Sequence, residues 1–252
     1  MRETITVIGM VLTASPIKEY DRRIELLTRE RGRISAFAKG ARKAGSALSA
    51  CSIPFTFGEF SLYEGRSSYN VKSAGIQKYF GDIAVDYEKT CYASYFAEMA
   101  RYFSRENIDA SRELLLLYIT LLALQNGKMP AKLIRIVYEM RLMMLQGQGL
   151  ELFQCLGCQS TDVRTVYFQA GGLLCEACSS KEEEFARVHP FELSPDGLYT
   201  LQYILSAPEE KVYSFLVKEG VQRELERFMQ GYLGRYLPHH FQSLDLLEGE
   251  EI

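Results

Sequence analysis

Little of what enzymes commonly need is present in this chain. It has three histidines, His189, His239 and His240, and none stands beside a nucleophile or carboxylate at motif spacing. A Walker-type phosphate loop, a G-x-G-x-x-G turn and a G-x-S-x-G elbow are all missing. With no catalytic constellation in view, the expectation is a protein that is not an enzyme and has no small-molecule substrate. No uncharged apolar run reaches the roughly 18–20 residues of a membrane span, so no membrane partner is expected. The stretch Ile5 to Ala14 resembles a signal-peptide core, but its Thr, Val and Ile suit a strand and its flank is weakly charged. Internal repeats and low-complexity linkers are also lacking. With 47% hydrophobic and 24% charged residues, the chain reads as an ordinary globular protein of the cytoplasm.

Cysteine is scarce but patterned. Four of the six fall in two C-x-x-C knuckles, Cys155–Cys158 and Cys175–Cys178, with 16 residues between them. That spacing suits a tetrahedral zinc site of four thiolates, since each knuckle turns two sulfurs towards one point. Such a set leaves no open position, so the metal is expected to be structural. Two disulfides, or a redox C-x-x-C pair, are the rival readings. Between the knuckles a hairpin is predicted: Thr165 to Phe168 outward, a turn at Gly171-Gly172, and Leu173-Leu174 in return. Cys91 reads as a core residue, and Cys51 has no evident partner.

Charge is unevenly spread. Residues 1–80 carry 13 basic and 7 acidic side chains, a net of +6, whereas 81–252 carry 16 and 25, a net of −9. A basic N-terminal part joined to an acidic body suggests that one end meets a polyanion. The basic part is strand-like: Thr4–Ala14, Asp21–Arg29, Gly32–Lys39, Pro54–Glu64 and Ser68–Ile76. Turns are expected at Ser15-Pro16, at Arg31-Gly32 and at Gly65 with Ser67-Ser68. In the fourth strand Phe55 and Phe57 have the opposite parity to Phe60 and Leu62, and a bulge at Gly58-Glu59 would turn all four to the core. Five short strands with one bent member predict a Greek-key barrel of the OB type. From residue 81 the period becomes 3.6. Helices are predicted from a cap at Asp82, from a cap at Asp109 to a stop at Gly127, over Pro130–Gln146, after Ser194-Pro195, from Pro208, and over Val221–Tyr236. The expected organisation is an OB-fold nucleic-acid-binding domain over 1–80, a helical domain over 81–150 and 185–252, and a zinc-ribbon module inserted over 151–184: an α+β protein.

Two sets of residues are candidates for binding. Arg29, Arg31, Arg33, Lys39, Arg42 and Lys43 fall within 15 residues, opposed only by Glu30. Strand parity puts Arg31, Arg33, Phe37 and Lys39 on one face and Ile34, Ala36 and Ala38 on the other. Cations with an interleaved ring make a platform for single-stranded nucleic acid, the charges tracking phosphates and the ring stacking a base. The small-residue loop from Gly40 to Ser46 is expected to be flexible and to close on a bound backbone. A solvated strand face with Phe37 turned inward is the plainer reading. On the third helix, Lys132 and Arg135 share a face, with Glu139 in pairing range of Arg135. Beside exposed apolar side chains they would suit an acidic, hydrophobic-tipped peptide; otherwise this is a core helix carrying two solubilising cations.

Taken together these features resemble the RecO family of bacterial recombination mediators over nearly the whole chain. The matching pieces are the strand Thr4–Thr13, Tyr20 and Asp21, Leu26-Leu27-Thr28 with Gly32, the run Ala38-Lys39-Gly40-Ala41-Arg42-Lys43, Pro54-Phe55, the helical middle, and the four cysteines with Gly171-Gly172 between them. The resemblance implies a non-enzymatic, nucleoid-associated protein of the RecFOR pathway. Such a protein binds single- and double-stranded DNA, anneals complementary strands and works with RecR to load RecA. It also implies contact with the acidic C-terminal tail of the single-stranded-DNA-binding protein through the helical part, which would suit Lys132 and Arg135. One departure stands out: Ala44-Gly45-Ser46-Ala47-Leu48 has no cations where many relatives have more, leaving more to Arg31, Arg33 and Lys39. The alternative is a zinc-ribbon RNA-binding or transcription-associated factor.

Overall fold

Period-two alternation in the first 78 residues builds five strands, β1 (Thr4–Ile17), β2 (Asp21–Thr28), β3 (Gly32–Ala38), β4 (Phe57–Glu64) and β5 (Tyr69–Lys78), with a short helix α1 (Ala47–Cys51) after β3. The computed structural model describes residues 4–65, 68–181, 185 and 188–248. The strands close into a barrel in the order β1-β2-β3-β5-β4, with β4 back against β1. All pairings are antiparallel except β3 with β5. This is the expected OB-type barrel. Its interior is filled by residues of one parity, among them Val7, Val11, Ile24, Leu26, Ile34, Ala36, Phe60 and Leu62. Cys51 joins this core from α1, and burial pushes its thiol up.

Three local expectations are corrected. Ser15-Pro16 is not a turn: β1 runs on to Ile17 and Pro16 pairs with Arg22. Beyond Met10, β1 pairs only with β2, and a one-sided edge of this kind is where a strand tolerates proline. The register does shift beside Phe57-Gly58 and Ser61-Leu62, but the extra residues, Gln77 and Lys72, lie on β5. Because β4 itself is uninterrupted, Phe57 keeps its own parity and meets Tyr118, ring centroids 4.7 Å apart, instead of entering the barrel. Phe55 is buried just before the strand, at φ 65°, but is not among the residues of the barrel core. Ser67 of the predicted turn lies outside the described residues, as do 182–184 at the end of the predicted zinc module and 249–252.

Two helices come next, α2 (Tyr87–Phe103) and α3 (Ser111–Asn126). The cap of α2 is Asp86, which accepts the Lys89 N–H at 3.1 Å, and not Asp82. Asp82 lies in the turn Gly81–Ile83, anchored by the fully buried Ile83, and accepts from Gln125 Nε2 at 2.8 Å. Asp109 accepts the Ser111 N–H at the start of α3 at 3.2 Å, as expected. These helices pack on the outside of β1 and β2, which explains why the outward-pointing pair Met10 and Leu27 is fully buried.

By compactness the chain forms two units, 1–126 with 241–252, and 127–240. The second contains α4 (Ala131–Leu145), a sheet of β6 (Thr165–Tyr167), β7 (Gly172–Leu173) and β8 (Phe191–Glu192), α5 (Glu176–Ser179), α6 (Pro195–Ser206) and α7 (Glu219–Tyr236). The predicted hairpin is β6–β7, and β8 adds a third strand beside β6 that its two-residue length kept illegible. Ser194 and Pro195 cap α6 as the sequence indicates, and the buried carboxylate of Glu224 on α7 accepts both the Ser194 N–H and its hydroxyl at 2.6 Å. Phe168 and Phe191 pack on Phe228 of α7 at 5.2 and 5.3 Å, giving the hairpin and α7 one core. No helix grows from Pro208. The Lys211 carbonyl that would propagate it already accepts from Ser214 N, Ser214 Oγ and the Tyr203 hydroxyl. In the first unit a terminal helix α8 (Gln242–Glu248) lies on α2, with the Ser243 N–H donating to Glu98 at 3.0 Å. Among the described residues no helix is long and apolar enough to cross a membrane.

Candidate metal centre and nucleic-acid interface

Four sulfurs converge in the second unit. Cys155, Cys158, Cys175 and Cys178 have Sγ atoms all within 4.8 Å of one another, and Cys158 and Cys175 stand 3.7 Å apart. Four thiolates about 2.3 Å from a tetrahedral ion are about 3.8 Å from each other, so the set fits such an ion. The first knuckle is closed by Cys155 N–H to the Ser160 carbonyl at 2.8 Å and Gln159 N–H to the Cys155 carbonyl at 2.9 Å. The second is the first turn of α5, where the Cys175 N–H reaches Cys155 Sγ at 3.4 Å. Gly157 makes the convergence possible, because a Cβ there would lie 2.7 Å from Cys178 Sγ. Burial by itself would raise the Cys155 thiol, but N–H groups of Cys158, Cys175 and Gly157 outweigh it and draw it down to about 6. Cys178 is pushed up to about 12, first by its hydrogen bond to Cys175. Thiols crowded in this way favour a shared cation once they ionise. Cys155 is fully buried and Cys158 exposed, so the cluster sits at the edge of its unit.

Of the predicted cationic face, Arg33 and Phe37 lie on β3, whereas Arg31 and Lys39 fall in the turns that bound the strand. Along β3, Ile34, Ala36 and Ala38 are buried while Arg33, Ser35 and Phe37 point outward and are half-buried. The six candidate residues fall into two groups at opposite ends of this strand. At its start, Gly32 adopts φ 61° and a Cβ there would meet the Arg105 carbonyl at 2.0 Å, so the chain after α2 lies directly on the β2–β3 turn. The Asn107 N–H to Arg31 carbonyl bond, 2.9 Å, and the Ala110 N–H to Arg29 carbonyl bond, 3.1 Å, hold it there. Arg31 reaches Asn107 Oδ1 at 3.5 Å, and Arg33 approaches Glu25 at 3.9 Å. Glu25 pairs more closely with Arg101 of α2, at 2.5 Å, so part of the positive charge here is internally balanced.

At the other end Lys39, Arg42 and Lys43 are exposed. The loop that carries them is not the free arm the small residues suggested. It is a chain of turns, with Arg42 N–H on the Tyr20 carbonyl at 2.9 Å and Gly40 N–H on Asp21 Oδ1 at 2.7 Å. The Arg42 guanidinium donates to the carbonyls of Lys18 and Glu19 at 3.5 and 3.2 Å, and Lys43 Nζ lies 5.3 Å from the Tyr20 ring centroid. An open hollow of about 400 Å³ remains between this loop and the β1–β2 turn.

Pairing brings in residues that period-two reasoning on β3 alone did not reach. Arg23 on β2 is directly opposite Phe37, exposed, and held by Ser35 Oγ at 2.9 Å. On the far side of Phe37 comes Asn70, then Tyr63, with Lys72 Nζ 5.6 Å from the Tyr63 ring. An outward Arg23 at odd parity was visible in the sequence; its neighbour was not, since register is a property of two strands. In the second unit Lys132 is exposed, and Arg135 pairs with Glu139 at 2.7 Å as spacing predicted. The apolar residues of α4, including Ile134, Ile136, Val137 and Met140, are buried, so α4 itself offers no exposed apolar strip beside this pair.

Known proteins resemble this chain along its whole length. Residues 1–80 match the family model described as "Recombination protein O N terminal", and residues 84–245 match "Recombination protein O C terminal". Similar curated proteins include the DNA repair protein RecO of Acetivibrio thermocellus, 30% identical over 243 residues, covering 95% of this chain and 94% of that one. The proteins of the same name from Alkaliphilus metalliredigens and Caldicellulosiruptor bescii are each 27% identical, covering 94% of this chain and 96% and 95% of theirs.

Proposed function

Because the chain belongs to the RecO family over both of its parts, we propose that it is a DNA-repair protein that binds single- and double-stranded DNA, anneals complementary strands, and helps RecR load RecA. The observation that carries this reading is the outward pair Arg33 and Phe37 on β3, with Arg31 in the turn before the strand and the exposed Lys39, Arg42 and Lys43 after it. Bound phosphates exchange condensed counterions for these side chains, and a strand so neutralised repels its complement less. Phe37, half-buried beside Arg23 on the outward face of β3, offers a ring to a base. The role asks for binding and release only, and no catalytic group enters it. Zinc is the ion we assign to the four thiolates, as a closed structural site. Lys132, exposed at the start of α4, is our candidate contact for the acidic tail of the single-stranded-DNA-binding protein, with Arg135 beside it.

The test is annealing of complementary oligonucleotides by the purified protein, bare and coated with single-stranded-DNA-binding protein, together with affinity as a function of salt. Log K for a single strand falls with a slope of about −0.7 per phosphate neutralised. Replacing Arg31, Arg33, Lys39, Arg42 and Lys43 together flattens that slope by up to about 3.5. No binding and no annealing would overturn the reading, and strong preference for RNA of the same sequence would replace it with an RNA-binding role. Lys132→Glu is expected to weaken capture of an acidic tail peptide while leaving annealing of bare strands unchanged.

A further inference from the structure

The β1–β2 turn, residues 18–20, and the turns of 39–43 enclose a hollow that the cationic face does not account for. Tyr20 is 44% exposed there, although aromatic side chains usually find cover. Its hydroxyl is engaged by Glu19 and Lys43 Nζ stands over its ring. Lys18, Lys39 and Lys43 line the same space. Neither nearby carboxylate is idle: Asp21 accepts the Gly40 N–H at 2.7 Å, and Glu19 serves the tyrosine hydroxyl. Arg42 ties the two turns together through the Lys18 and Glu19 carbonyls. The hollow is thus formed before any ligand arrives, with a ring and three cations presented together.

We infer that this hollow seats one nucleotide of single-stranded DNA, its base stacked on Tyr20 and its phosphate held by Lys18 and Lys39. The inference rests on the DNA-binding reading above and extends it to Lys18 and Tyr20. Lys43 does not block the ring. A cation over an exposed aromatic face is worth only about two- to five-fold in an equilibrium, whereas a stacked base is worth roughly 5- to 150-fold. The ammonium therefore gives way and is free to follow the phosphate. A duplex cannot use the seat without unstacking a base, so the hollow favours single strands and holds a base apart from its neighbours.

These 252 residues include no tryptophan, so Tyr20→Trp places a sole indole in the hollow. Its emission is expected to be quenched by a thymidine oligonucleotide, but not by an abasic strand of equal length or by inorganic polyphosphate. Tyr20→Ala should weaken single-strand binding by about 5- to 150-fold with an unchanged salt slope and leave duplex affinity within about two-fold; Tyr20→Phe, which keeps the ring, should bind nearly as the parent does. Melting curves of all three variants check that they fold. If the oligonucleotide binds by anisotropy yet the indole is unquenched, or is quenched equally by the abasic strand, the seat is refuted while the DNA-binding reading survives. If no strand binds the parent protein, both fall together.

Discussion

Gly157 and Tyr232 are two residues whose roles depend on distant neighbours. A methyl group on Gly157 would stand 2.7 Å from the Cys178 sulfur, so Gly157→Ala must displace a ligand. Displaced ligands and their supports typically cost roughly 10- to 100-fold in metal affinity. A chromophoric chelator competing for the ion should register that loss, with DNA affinity unaltered. Tyr232 donates its hydroxyl to the Gln148 carbonyl, and burial, helped by the nearby Tyr236, raises its pKa above the ordinary tyrosine range. With the folded value above the unfolded value of about 10, its stabilisation is complete below about pH 10 and is lost as pH rises through the folded value. Tyr232→Phe should therefore cost about 1–2 kcal/mol near neutrality and flatten the alkaline limb of urea-unfolding stability. The four cysteines were legible because C-x-x-C is a local spacing. Gly157 was not, since its partner lies in the other knuckle.

Secondary-structure elements show the same division. The cap of α6 was legible because Ser194, Pro195 and the turn they open are adjacent. The cap of α2 was misplaced by one turn, for two aspartates stand four apart and only the burial of Ile83 selects between them. Asp86→Ala should lower stability by about 1 kcal/mol as a lost N-cap. Asp82→Ala removes an exposed contact to Gln125 and should cost clearly less in thermal melts. At the β2–β3 turn, Gly32→Ala asks a Cβ to occupy space 2.0 Å from a backbone oxygen at φ 61°. A cost of roughly 3–5 kcal/mol is expected, visible as a sharply lowered denaturant midpoint. A mild effect would mean that the segment after α2 can leave the turn at little cost.

For the molecule as a whole, two compact units imply two cores with different dependences. The hairpin bearing the cysteines shares Phe168 and Phe191 with α7, so loss of the ion should loosen 127–240 as a body. Structural zinc contributes an apparent stabilisation of roughly 10–16 kcal/mol in small isolated modules, and some of that is forfeited on chelation. Hydrogen exchange after chelator treatment should show protection lost in 127–240 and kept in the barrel, with DNA affinity within about three-fold. Equal loss in both units would mean that they unfold as one. The same experiment on Cys155→Ser or Cys178→Ser should reproduce the chelated pattern.

The sequence by itself determined the barrel, the predominantly helical character of the chain beyond it and the pairing of the four cysteines into one cluster, because alternation, helical period and knuckle spacing are short-range patterns that backbone geometry imposes. It also determined that Arg33 and Phe37 share a face, which parity alone requires. Tertiary structure decided which charges remain available. Glu25 is drawn to Arg101 across 76 residues, Arg23 joins Phe37 only through register, and the loop carrying Lys39, Arg42 and Lys43 is pinned to the turn of Tyr20 instead of swinging free. These are relations between segments that meet only when the barrel closes and α2 packs on it. No spacing within either segment encodes them, and they divide a run of cations into a partly balanced end and an exposed one.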